Sequence, residues 1–278
     1  MKAGMMRFIG LLILFMILFG LYPLPMLQAN EQEAASVGFM SYNIRHGQGN
    51  DGKLDLKRTA DVIKQSNADI IALQEVDNNW SDRSEFMDQA KQLGEILSMQ
   101  YVFAANIDEP PAQGKTERRQ YGTAIISKYP IISSVRHPLP KMEETSESRG
   151  LLETVINVKG TNITVYCTHM SIIAGERVLQ VKELVNIAQQ VKGPVIFMGD
   201  FNAKPNTFEM RPLFKRLKDA FQGKPNSFTA PAEKPAFQID YIMYSPDFDL
   251  IQSEIISTQA SDHLPISARF MLNSKKSQ

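Results

Sequence analysis

Pro194-Val195-Ile196-Phe197-Met198 is uninterrupted apolar chain, and it runs straight into Gly199-Asp200-Phe201-Asn202. A continuous apolar run of this length suits a strand whose sheet is covered on both faces. A carboxylate and an amide at its end are costly unless something pairs with them. The pattern recurs outward from this point. Asp69-Ile70-Ile71-Ala72-Leu73-Gln74 leads into Glu75, and Gly38-Phe39-Met40-Ser41-Tyr42-Asn43-Ile44 carries Asn43. Thr161 to Thr168 reaches His169, Asp240 sits inside Ile239-Asp240-Tyr241-Ile242-Met243, and Asp262-His263 precede an apolar run from Ile266 to Met271.

Amphipathic helical stretches lie between these strands. Asp55 can cap a helix with Leu56, Ala60 and Ile63 on one face. A second is expected from about Glu85 to Leu97, with Ala90, Leu93 and Leu97 inward, and a third from Arg177 to Gln190, with Val181, Leu184, Val185 and Ala188 together. Further strands are expected near Tyr101, at Ala124-Ile125-Ile126, at Ile131-Ile132 and from Leu151 to Val158, the last turning through Lys159-Gly160. Ile107 to Gln120 and Lys141 to Arg149 read as polar surface loops. The stretch with Arg211, Lys215, Arg216 and Lys218 reads as a solvated helix, and His137 as a surface histidine. More strands than helices imply an α/β chain with sheets packed face to face and helices outside. No repeat, low-complexity linker or charge block divides it, so one domain over 37–272 is expected, after a short linker at 30–36 and before a polar tail at 273–278.

The first residues read differently. Lys2 and Arg7 precede the uncharged run Phe8 to Leu21, Pro23 and Pro25 break any continuing helix, and Ala29 offers a cleavage point. That is the pattern of a secretory signal over 1–29, with an uncleaved membrane anchor as the rival reading. Either places the domain outside the cytosol, secreted or at the cell surface.

Thirty basic against thirty acidic residues give a formal net charge of zero, so no bulk field favours a polyanion. The 43% hydrophobic content supplies a core and excludes a disordered chain. One cysteine, Cys167, excludes both an intramolecular disulfide and a cysteine-based zinc site, and its place in an apolar strand predicts a buried, inert thiol. Acidic, amide and imidazole groups on so many strand ends are better explained by one shared site than by separate structural roles. Oxygen ligands without thiolate favour Mg²⁺, with Mn²⁺ or Ca²⁺ as alternatives.

Ser41-Tyr42-Asn43-Ile44, Leu73-Gln74-Glu75-Val76, Tyr121-Gly122, Thr168-His169, Gly199-Asp200-Phe201-Asn202, Ile239-Asp240-Tyr241 and Ser261-Asp262-His263 occur in that order. Any one of these is weak; the ordered set resembles the endonuclease/exonuclease/phosphatase superfamily, the DNase I-like hydrolases, from about Val37 to Leu272. The resemblance implies a four-layer α/β/β/α sandwich of two mixed sheets, with a divalent metal at one edge. It implies metal ligation by Asn43, Glu75 and Asp262. It implies that Asp240 orients His263, that Asp200 and Asn202 position water, and that His169 contacts the phosphoryl group or protonates the leaving group. Either Asp200 or the Asp240–His263 pair serves as general base, and one metal or two fits equally. Arg45, His46, Tyr121 and Arg149 stand near these motifs as candidate phosphate contacts, each balanced by an ordinary loop or strand reading.

The function so implied is a metal-dependent phosphoric ester hydrolase in which water attacks phosphorus. A neutral chain is a poor candidate for gripping a duplex, so a small phosphoester or phospholipid headgroup is preferred over nucleic acid. A secreted non-specific endonuclease is the alternative. A non-catalytic binding module is the third reading, against which the intact residue set speaks. A monomer is expected, touching membrane only through an uncleaved N-terminal segment or a lipid substrate.

Overall fold

The computed structural model describes residues 36–273; the signal, all but the last residue of the linker and all but the first residue of the tail lie outside them, and Ser36 opens β1 rather than closing a linker. In chain order the elements are β1 (Ser36–Asn43), α1 (Leu56–Gln65), β2 (Ile70–Asn78), α2 (Gln89–Leu97), β3 (Gln100–Glu109) and β4 (Arg119–Ser127). β5 (Ile131–Pro138), β6 (Gly150–Val158), β7 (Thr161–His169), α3 (Ala174–Ala188), β8 (Val195–Asp200) and α4 (Arg211–Phe214) follow. β9 (Lys218–Asp219), β10 (Asp240–Tyr244), β11 (Phe248–Ile255) and β12 (Ile266–Leu272) complete the set.

The strands form two six-stranded mixed sheets, ordered β11-β12-β1-β2-β4-β3 and β5-β6-β7-β8-β10-β9. Side-chain alternation turns each central strand into a divider between two cores. Val37, Phe39, Ile70 and Ala72 face Val165, Cys167, Ile196 and Met198 between the sheets. Their neighbours Met40, Tyr42, Ile71 and Leu73 pack outward with Leu56, Ala60 and Ile63 of α1 and Ala90 and Leu93 of α2. Tyr166, Val195 and Phe197 pack outward with Val181, Leu184 and Leu213 of α3 and α4. Three apolar layers between four structural layers make the expected α/β/β/α, DNase I-like sandwich.

Two features place the chemistry. β1 and β2 are parallel, joined over α1; β7 and β8 are parallel, joined over α3. The carboxyl ends of both pairs therefore meet at one edge, the usual ligand edge of parallel strands. Antiparallel β10 starts there, with Asp240 opposite Asp200, and β12 begins just after His263. Gly199 allows the close approach of β8 to β7: at φ 154° a Cβ would lie 2.1 Å from the Thr168 carbonyl.

Several boundaries differ from expectation. α2 starts at Gln89 with Asp88 as its cap, because a 3₁₀ turn over Asp82–Ser84 ends with Glu85 left-handed. α3 starts earlier, at Ala174. The basic helix spans only Arg211–Phe214, and Lys218 belongs to β9. β3 and β4 extend into the polar stretch, leaving 110–118 as the loop. Edge strand β11 carries too many exposed polar residues to read as a strand. No helix among the described residues is long and apolar enough to cross a membrane.

Candidate active site

Asn43, at the end of β1, donates from Nδ2 to Glu75 Oε1 at 2.9 Å and to Asp200 Oδ2 at 3.2 Å, so one amide joins carboxylates from both sheets. Ser261 holds Asn43 in turn, its hydroxyl donating to the Asn43 carbonyl at 2.7 Å. Glu75 sits inside β2 at a register shift between Leu73 and Val76, with φ 57°. The bulge re-aims its side chain toward the edge, and a left-handed glutamate is strain of about 1–3 kcal/mol that packing must hold. Arg45, His46 and Asn202 are also left-handed. Burial raises the Glu75 pKa, with the Asn43 amide opposing it.

Asp240 Oδ2 lies 2.9 Å from His263 Nδ1, while His263 Nε2 lies 3.8 Å from Asp200 Oδ2. Burial disfavours the imidazolium, but Asp240, Asp200 and Asp262 outweigh it and push the His263 pKa up to about 10. Burial, then Asp240, push Asp200 up to about 7. These three residues offer ligand atoms within 4.8 Å of one another, and Asp240 Oδ1 is buried without a partner. His169 is buried with Nε2 3.4 Å from Asp200 Oδ2; burial, Arg149 and His263 hold its pKa well below the usual histidine value, so it is neutral at pH 7. Asn202 donates its backbone N–H to Asp200 Oδ1 at 2.9 Å and its Nδ2 to the Met170 carbonyl at 3.0 Å, tying the β8 loop to the β7 loop.

Asp262 stands at the half-exposed mouth, 3.6 Å from Arg45 Nε, and its charge raises the Glu75 pKa. Arg149 is buried with Nη1 3.1 Å from Glu147, and its Nε has no partner. Tyr121 is half-buried, with its pKa raised by burial and by Glu75. His46 is half-buried with its pKa lowered by burial and Arg83, and its carbonyl accepts from Gln89 Nε2 at 2.6 Å. All twelve candidates therefore lie at or around one edge of the sandwich.

A neighbouring wall was not anticipated. Arg83 makes two bonds to buried Asp77, at 2.9 and 2.7 Å, and its guanidinium lies 5.5 Å from the rings of both Trp80 and Tyr121. The one signal for it was the chain's single tryptophan just beyond a strand that ends in an acid.

Residues 40–263 match the model of the Endonuclease/Exonuclease/phosphatase family. The chain belongs to that family. Its members are hydrolases acting on phosphoesters and are typically dependent on a divalent metal. Among solved structures, a family protein from Beutenbergia cavernae superposes with TM-score 0.73 at 21% identity, over 86% of this chain and 72% of that one. The mannosyl-6-phosphatase Bt3783 of Bacteroides thetaiotaomicron superposes with TM-score 0.67 at 18% identity, over 85% of this chain and all of that one. At these identities the likeness speaks for the fold alone. Protein cwh43 of Schizosaccharomyces pombe is 25% identical over 144 residues, which are 51% of this chain and 14% of that protein.

Proposed function

We propose that this chain is a divalent-metal-dependent phosphoric ester hydrolase whose attacking group is water. The observation that carries the reading is the donor-poor contact of Asn43 with Glu75 and Asp200: one amide nitrogen serves a half-buried and a buried carboxylate. Asp240 Oδ1 adds a further orphan acceptor nearby. Such an excess of hard oxygen acceptors fits a divalent cation, and Asn43, Glu75 and Asp262 would hold it, with Asp200 and Asp240 within reach of a second. When bound, Mg²⁺ or Mn²⁺ supplies charge neutralisation on the phosphoryl oxygens and a lowered pKa for water.

The remaining steps belong to side chains. Asp240 fixes the His263 ring and with Asp200 keeps it charged, and Asp200, 3.8 Å from that ring, takes up the proton that water loses. Neutral His169 donates a hydrogen bond to a phosphoryl oxygen rather than acting as the acid. Asn202, anchored on Asp200 and Met170, orients the nucleophile. Arg149 offers its unpartnered Nε, and Tyr121 its hydroxyl, to the phosphate. With Arg45 paired to Asp262 and Arg83 to Asp77, the mouth holds little uncompensated cation for a duplex, which favours a small phosphoester or a lipid headgroup. The Lys2/Arg7 start and the apolar run favour action outside the cytosol.

A substrate panel tests this. Bis-nitrophenyl phosphate, plasmid DNA, sphingomyelin and inositol phosphates are each incubated with the purified chain in Mg²⁺, Mn²⁺ or EDTA. Metal-dependent release of a small phosphoester or headgroup is expected; efficient plasmid nicking would move the assignment to a nuclease.

A further inference from the structure

Ile172, three residues beyond His169, is 74% exposed. Phe208 is 70% and Met142 59% exposed, and Ile173, Val178 and Leu179 are exposed beside them. These residues come together around the start of α3. A Cβ on Gly175 would lie 2.9 Å from Met142 Sδ, and Glu209, next to Phe208, pairs with Arg177 at 2.9 Å.

The apolar side chains stand on a fixed platform. Buried Glu176 accepts from the Ser171 hydroxyl at 2.6 Å and from the Met142 backbone N–H at 2.9 Å. Gln180 Oε1 accepts from Ser171 N–H at 2.9 Å, and Arg177 Nη1 donates to the Ile172 carbonyl at 2.8 Å. A loop that tucked its own apolar residues away would cost less; this one is bonded from behind and holds them outward.

Two features of the surroundings match a lipid–water boundary. Arg211 lies 5.8 Å over the Phe208 ring, and Lys204, in the loop after β8, lies 4.3 Å over Phe237, itself exposed. Cations set on aromatic rims, with aliphatic tips between, suit the headgroup layer and the acyl boundary beneath it. The patch is also continuous with the reacting edge, since the loop that displays Ile172 carries the Met170 carbonyl that holds Asn202. On the neighbouring loop Glu144 and Glu147 neutralise Lys141 and Arg149, so that loop adds no basic field and the surface is not tuned to anionic lipid.

We infer that the α3 patch inserts into the surface of a zwitterionic phospholipid bilayer and sets the mouth of the site against the headgroups. The inference rests on the phosphoester reading only for its purpose; insertion itself does not require hydrolysis.

The test is site-specific, so the apolar run 8–21 does not confuse it. The full chain with Ile172→Cys carries a polarity-sensitive thiol label, and a control carries it at Gln252→Cys on β11. Each is mixed with phosphatidylcholine vesicles, with the same vesicles containing phosphatidylglycerol, and with vesicles of brominated lipid. The label at 172 is expected to shift to the blue and be quenched by brominated lipid, with the label at 252 unchanged and phosphatidylglycerol adding little. Adding Phe208→Ser should weaken the response about tenfold or more, the worth of one buried large apolar side chain. No shift at 172, equal shifts at both positions, or a vesicle-independent shift that grows with protein concentration would overturn insertion, the last pointing to a second copy of the chain. Bis-nitrophenyl phosphate hydrolysis is measured separately: its absence beside an intact shift would sink the hydrolase reading and leave insertion standing.

Discussion

His263 Nδ1 lies 2.9 Å from Asp240 Oδ2, a contact between the start of β10 and the turn before β12. The bond fixes which ring nitrogen is left to face Asp200, and the Asp240 charge raises the imidazole's basicity. His263→Ala should lower turnover by roughly 10²–10⁴-fold, and excess metal should not restore it. Asp240→Asn should fall short of that loss, because the ring remains and only its orientation and basicity suffer. Steady-state kinetics across a metal titration check both.

Glu75 predicts an opposite pairing of effects. Its raised pKa means that the folded chain holds the ionised carboxylate unfavourably. Glu75→Gln should therefore raise the thermal midpoint of the metal-free protein at pH 8. The same change should reduce the further rise that Mn²⁺ produces, and part of the lost activity should return at high metal. Calorimetry with and without Mn²⁺ reads both.

Asp219 gives a pH test away from the reacting groups. Burial pushes its pKa up to about 6, against bonds from Phe221 N–H and Gln238 Nε2. The folded state then binds more protons than the unfolded state between about 4 and 6, so stability is lost as pH rises through that window. Asp219→Asn should be near neutral at pH 4 and stabilising at pH 8, by up to about 3 kcal/mol for a shift of roughly two pH units. Urea titrations at the two pH values give the comparison.

Cys167 is fully buried, accepts from Gln74 Nε2 at 3.4 Å, and has its pKa pushed up to about 12 by burial. A thiol reagent should label the native protein only at the rate of unfolding, and at once in denaturant.

The strands that place the site were readable because they are apolar on both faces and end in groups that burial penalises. Asn43, Glu75, His169 and Asp200 stand out by that contrast alone. Local pattern does not encode the left-handed turn at Glu75, since a bulge is a property of pairing with β4 rather than of the residue. β11 was missed for a related reason: its outer edge is polar, and only β12 defines it as a strand. The Trp80–Arg83–Tyr121 wall joins residues from β4 and from the turn after β2, so no window of sequence contains it. No local pattern marks Ile172 and Phe208 as exposed, because only the packing around the start of α3 decides which apolar residues there stay outside.

The central claim is metal-assisted attack of water on phosphorus. Hydrolysis of bis-nitrophenyl phosphate in ¹⁸O-labelled water, run in Mn²⁺ and in EDTA, addresses it most directly. The account predicts one labelled oxygen on the phosphorus of the product in Mn²⁺ and no turnover in EDTA. Undiminished turnover in EDTA, or a phosphorylated protein trapped during the reaction, would contradict it.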